Sequence, residues 1–138
     1  MPADLPRIDI EYVIVCDDIR REDNGKELLI GVYTRDIVVG AFPAVLQLAF
    51  WICYVPTALG TIETEFRLVD EQDAEFFKGK TSSQIDVIAR SSIRLAGLPV
   101  PLQIPGTLRF QSRTREDEDW TTVKTIGVLK GQVKGRPR

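Results

Sequence analysis

The chain reads as an all-β protein, an antiparallel β-sandwich of immunoglobulin-like or jelly-roll-like type with about eight or nine strands and at most one short helix. Three observations carry this reading. Apolar and polar residues alternate with a period of two through most of the chain. Turn-forming runs, Asp23-Asn24-Gly25, Asp70 to Asp73, Pro105-Gly106 and Glu116 to Asp119, separate the alternating stretches at regular intervals. No segment carries a clear helical pattern of apolar residues.

In the first strand Ile8, Ile10, Tyr12, Ile14 and Cys16 share one face, and Val13 and Val15 join Asp9 and Glu11 on the other. A strand that becomes apolar on both faces is expected inside a sheet. Leu28 to Thr34 is expected to return antiparallel to it. The Asn24-Gly25 pair predicts a type I′ turn between them, in which both central residues have positive φ. Ile37 to Val39 extends that pairing or starts a crossover. Val45 to Val55 is the most apolar segment: Leu46, Leu48, Phe50, Ile52 and Tyr54 line one face, and Ala49, Trp51 and Cys53 the other. It predicts a core strand covered on both sides.

Thr61 to Val69 alternates cleanly, with Ile62, Thr64, Phe66 and Leu68 pointing in and Glu63, Glu65 and Arg67 pointing out. A short strand over 74–78 completes a hairpin with it. Gly79 to Ser92 fits a strand through Ile85, Val87 and Ala89. It fits equally a short helix capped by Thr81 and Gln84. Leu98 to Ile104 alternates with Pro99, Pro101 and Pro105, and because proline cannot donate to a ladder this is an edge strand or an extended segment beside one. Leu108, Phe110, Ser112 and Thr114 then point inward, Arg109, Gln111, Arg113 and Arg115 outward, and Trp120 to Leu129 is the last strand.

At 138 residues the chain has the size of one domain, predicted over 1–130 with a flexible basic tail over 131–138. A hydrophobic content of 43% with 28% charged residues is that of a globular protein. The net charge of −2 argues against a nucleic-acid partner. There is no histidine, which removes Ser-His-Asp and Cys-His catalysis and any His-ligated zinc. Cys16 and Cys53 are too few for a zinc site and sit in apolar runs, so buried free thiols are expected, with a disulfide as the alternative. No cofactor is expected. The first residues lack the apolar region of a signal peptide, and no apolar run reaches the roughly 18 residues that span a bilayer. A cytoplasmic location without a membrane partner follows as the expectation.

Four candidate sites emerge. Cys16, Asp17, Asp18, Glu22 and Asp23 form an acidic cluster. With Gly25 in the invariant glycine position of an EF-hand loop, Arg20 falls where the first carboxylate belongs, so a solvated hairpin tip is expected rather than a metal site. Asp17 and Asp18 would be the carboxylates of a hydrolase-type enzyme, but neighbours on a strand face opposite ways and would need help from Asp36 or Glu63. Trp51, Tyr54 and Trp120 could form a carbohydrate platform. Of these Trp51 is expected in the core and Trp120 partly exposed. The outward row Arg109, Arg113 and Arg115, with Lys130, Lys134, Arg136 and Arg138, could meet an acidic partner, or pair with Glu63 and Glu65 across the strands.

Cys16-Asp17-Asp18, then Gly31-Val32-Tyr33, Asp36 to Val39, Phe42-Pro43 and Ile104-Pro105-Gly106 together resemble the pattern of a family of small bacterial proteins catalogued only as a domain of unknown function. Leu108 stands where that pattern has a tyrosine, which counts against a tyrosine-corner hydrogen bond. The resemblance implies a compact β-sandwich and brings no established activity. The function expected is a non-enzymatic binding protein with a protein partner or self-association, through Asp17, Asp18, Trp120, Arg109, Arg113 or Arg115. A small-ligand or carbohydrate module is the alternative, and an enzyme comes third.

Overall fold

The computed structural model describes residues 5–132. Its strands are β1 Ile8–Cys16, β2 Asp18–Arg21, β3 Glu27–Ile30, β4 Ile37–Val39, β5 Ala44–Pro56, β6 Gly60–Val69, β7 Glu75–Ile85, β8 Ser91–Leu102, β9 Gly106–Arg113 and β10 Thr121–Lys130. No helix occurs among the described residues, so the protein is all-β. Thr81 and Gln84 lie inside β7 instead of capping a helix. The expected tail lies outside the described residues from residue 133 on.

Three sheets form: β1-β5-β8, β4-β10-β9-β6-β7 and the pair β2-β3. Every pairing is antiparallel except that of β4 with β10. One buried cluster draws side chains from both larger sheets, among them Val13, Phe50, Ile52 and Val100 from the first and Ile37, Phe66, Phe110 and Ile126 from the second. At its centre Phe50 of β5 stacks on Phe110 of β9 at 4.3 Å between centroids, and Phe110 on Phe66 of β6 at 5.4 Å. Truncating such a fully buried ring costs about 3–5 kcal/mol.

β5 keeps the expected alternation, with Leu48, Phe50, Ile52 and Tyr54 in the main core. β1 does not. Its register against β5 slips at Glu11, where one extra residue bulges out between the Ile10 and Tyr12 pairings. Side-chain parity therefore inverts. Ile8 and Ile10 point inward, then Val13 and Val15 do, while Tyr12 emerges on the outer face.

The second correction concerns the return strand. β3 pairs with β2 alone, and β1 pairs with β5. The other face of β5 explains this, because Ala49 and Trp51 are also apolar and need cover. The β2-β3 hairpin folds over them, packing Ile19 and Leu29 against Cys16, Ala49 and Trp51. Trp51 is thus half-buried beneath the hairpin and not in the main core. The turn is also not type I′: Gly25 N donates to Glu22 O at 3.0 Å, and Gly25, at φ +87°, is the turn's positive-φ residue. A tight turn followed by a left-handed glycine is the three-residue alternative to the two-residue hairpin.

β8 is an edge strand, as its prolines require: Pro99 and Pro101 pair with Gln47 and Val45 of β5, and among the described residues no strand pairs on their other side. Pairing Cys16 with Ala49 and Cys53 with Tyr12 sets the two cysteines four residues apart along β5, about 13 Å. That exceeds disulfide reach. Both are buried free thiols.

Candidate interaction site

The acidic cluster disperses when the hairpin folds. Asp18 turns one oxygen to the Ile19 amide at 2.9 Å and the other to Arg20 Nε at 3.1 Å. Asp17 accepts the Tyr33 hydroxyl at 2.7 Å, and the Asp17 amide donates to Ile30 O at 2.9 Å. Gly31, at φ +69°, lies so close that a Cβ there would overlap Asp17 Oδ2. The residues of the family-like pattern therefore make a clasp that closes the hairpin onto β1. Burial, then the bond to Asp17, pushes the Tyr33 phenol up to about 12. Among the described residues no cluster of three or more potential metal ligands forms, and Asp17 and Asp18 do not converge with Asp36 or Glu63.

A second polar knot anchors the hairpin to the sheet beneath. Glu27 accepts from Trp51 Nε1 at 2.9 Å, Ser92 Oγ at 3.0 Å and Arg94 Nη1 at 3.1 Å. Burial raises the Glu27 carboxyl, but these three donors outweigh it and leave it below the usual range. Sequence reasoning missed Glu27, whose partners lie in two distant strands.

Trp51, Tyr54 and Trp120 do not form a platform. Trp51 lies under the hairpin, Tyr54 is in the core, and Trp120 lies on the outer face of the five-stranded sheet. There its ring lies 4.2 Å from the Arg113 guanidinium carbon and 4.5 Å from that of Arg67, with Lys78 Nζ at 5.9 Å. Beneath it Glu65, expected to point outward and to pair across the strands with the arginine row, does pair with Arg113 at 3.2 Å, and is buried. Arg113 Nε is buried without a hydrogen-bond partner.

Arg109 and Arg115 serve turns. Arg109 donates to Asp70 O at 2.9 Å and pairs with Asp73, pinning the β6-β7 turn, while Arg115 grips Asp117 and Glu118 in the β9-β10 turn. The predicted partner Glu63 lies opposite Ser82 instead.

One open edge lies beside Lys78. Among the described residues β7 pairs with β6 on one side and with no strand on the other, an unpaired edge of 11 residues. Below it a seam of about 130 Å³ runs between the two larger sheets, lined by Phe66, Phe77, Thr81, Leu95 and Leu98 with the Lys78-Gly79-Lys80 stretch of β7 at its rim. Gly79 sits opposite Phe66, so its missing side chain faces this seam, and a Cβ there would meet nothing within 4 Å. Lys78 and Lys80 project on the opposite face, opposite Arg67 and Glu65. A glycine flanked by lysines inside an alternating strand was the available sequence signal, since strand glycines often mark close backbone approach.

A second opening, of about 280 Å³, lies at one end of the molecule among Glu71, Phe76, Pro101, Leu102, Ile104 and Leu108. Its Glu71 Oε1 is engaged by the Thr107 amide at 2.8 Å.

One protein-family model, described as a family of unknown function (DUF6941), matches residues 11–127. No curated protein matches the chain.

Proposed function

The chain belongs to this family of unknown function, and from that premise we propose that it is a non-enzymatic binding module that takes up an extended segment of another protein. The scaffold we propose is an immunoglobulin-like sandwich of two leaves, β1-β5-β8 and β4-β10-β9-β6-β7, capped by the β2-β3 hairpin. The stack of Phe50 on Phe110 between sheets, and the parallel start β4 beside the last strand β10, support that arrangement.

One observation carries the functional reading: the 11-residue β7 edge is unpaired and lies over an apolar seam. A free edge offers a row of backbone donors and acceptors, and an incoming strand gains affinity from them while pockets for alternate side chains supply specificity. Meanwhile Asp17, Asp18, Arg109, Arg113 and Arg115 are each tied to neighbours within the chain. Free thiols at Cys16 and Cys53 accord with a cytoplasmic setting.

Selection of displayed random peptides tests the reading, with Gly79→Val as the counter-selection. Peptides that bind the wild type and lose at least about tenfold against the variant support it. A selection that yields no binder, or binders indifferent to position 79, refutes it. The end cleft favours a second reading, a small-ligand site at Glu71 and Phe76. Thermal-shift screening that returns a ligand sensitive to Phe76→Ala would favour that reading instead.

A further inference from the structure

We infer that the segment taken up at β7 alternates apolar with acidic residues, and that one apolar side chain enters the gap over Phe66 left by Gly79. This rests on the strand-addition reading above and goes further by fixing the partner's chemistry.

The two faces of β7 differ. The register places Phe77 opposite Leu68, Gly79 opposite Phe66 and Thr81 opposite Thr64, so these residues share the inward face. Phe77 packs against Phe50, and the seam opens beside it at Gly79. The intervening Lys78 and Lys80 stand opposite Arg67 and Glu65 on the outer face. A strand added at this edge continues the pleat, so every second side chain points into the seam and the others lie beside the lysines. Apolar residues satisfy the first set and carboxylates the second.

The charge is available. Glu65, the carboxylate nearest Lys78 at 4.0 Å, is already held by Arg113 at 3.2 Å, and Glu75 by Arg67 at 3.1 Å. Lys80 has no ion-pair partner among the described residues.

The same lysines argue against a second copy as the occupant. Two β7 strands meeting edge to edge bring Lys78 and Lys80 of one close to those of the other, and like charges across a strand pair are destabilising. A heterologous acidic strand has no such repulsion.

Three synthetic nine-residue peptides test this, each with Leu or Val at alternate positions and Asp, Ser or Lys between them. Affinity is read by fluorescence anisotropy and the oligomeric state by sedimentation. The Asp peptide is expected to bind about tenfold more tightly than the Ser peptide, and the Lys peptide not measurably. Lys80→Glu should reverse the order of the Asp and Lys peptides. Gly79→Val, whose Cβ meets nothing within 4 Å and whose methyls enter the open seam, should keep the fold and weaken all of them.

Equal binding of the Asp and Ser peptides overturns the acidic preference and leaves strand addition standing. Failure of all three, with a monomeric protein, overturns both. Self-association abolished by Gly79→Val overturns the assignment to a different partner.

Discussion

Replacing Gly31 by alanine separates a structural role of the family-like pattern from a chemical one. Two costs add at this site. Holding an alanine at φ +69° costs about 1–2 kcal/mol, since a Cβ crowds the carbonyl in the left-handed region. The stiffer unfolded chain returns about 0.4–1 kcal/mol of that. The new Cβ would also lie 2.8 Å from Asp17 Cγ, so the carboxylate must move and give up the Tyr33 hydroxyl. A hydrogen bond to a charged group contributes about 1.5–3 kcal/mol, toward the lower end here because Asp17 is exposed and regains water. The net loss is about 2–3 kcal/mol, or roughly 10 °C in Tm for a chain of this size. Gly25→Ala is the control, with φ +87° but nothing within 4 Å, and should cost about 1 kcal/mol or less. Urea unfolding of both variants and of Asp17→Ala/Gly31→Ala completes the set. The double variant should recover about 1 kcal/mol relative to additivity, because the overlap with the carboxylate is gone and only the Asp17 Cβ, at 3.1 Å, stays close. If Gly31→Ala unfolds at the same urea concentration as Gly25→Ala, the clasp does not exist as described.

Three further outcomes follow from the packing. Glu65→Ala strands the nearly buried Arg113 guanidinium and should cost about 3 kcal/mol or more, whereas Arg115→Ala, on an exposed pair, should stay within about 0.5 kcal/mol; chemical denaturation compares them. Glu27→Ala leaves Trp51 Nε1 and Ser92 Oγ without their partner, so it should destabilise by about 2–3 kcal/mol and speed hydrogen exchange across β2 and β3 first. Tyr33 stays protonated in the folded protein to about 12 but ionises near the ordinary value of 10.0 when unfolded. Its contribution is therefore complete below pH 10 and lost as the pH rises to about 12. Tyr33→Phe should flatten that alkaline decline and shrink the late component of the phenolate absorbance titration, which Tyr12, also raised, shares.

The strands whose partners lie on both sides were legible in the sequence. β5 and β6 bury the residues that period-2 alternation assigns them, and the proline-bearing strand is an edge for the reason proline imposes. Departures arose where one residue changed parity or where cover came from a distant segment. A single bulge at Glu11 turned Tyr12 outward and Val13 and Val15 inward, and alternation alone cannot register an inserted residue. Glu65 reads as outward with the arginine row across from it, and the Arg113 pair forms, but its burial beneath Arg113, which itself stacks on Trp120, is not visible from its own strand. Trp51 and Glu27 belong together only after the hairpin folds back. Of the candidate residues, Trp120 was rightly read as partly exposed, yet the open site lies next to it on β7. Gly79 and its flanking lysines carried that signal in plain alternation.

Amide hydrogen exchange of the uniformly labelled protein, free and saturated with the Asp-containing peptide, tests the central claim most directly. In the free protein, β7 amides that do not face β6 lack a partner strand and should exchange rapidly. On binding, protection should rise within Lys78–Ser83, with the largest chemical-shift changes at Gly79 and Leu98 and little change at Asp17 or Asp18. Protection appearing at the β2-β3 hairpin or the end cleft, with β7 unaffected, would contradict strand addition at this edge.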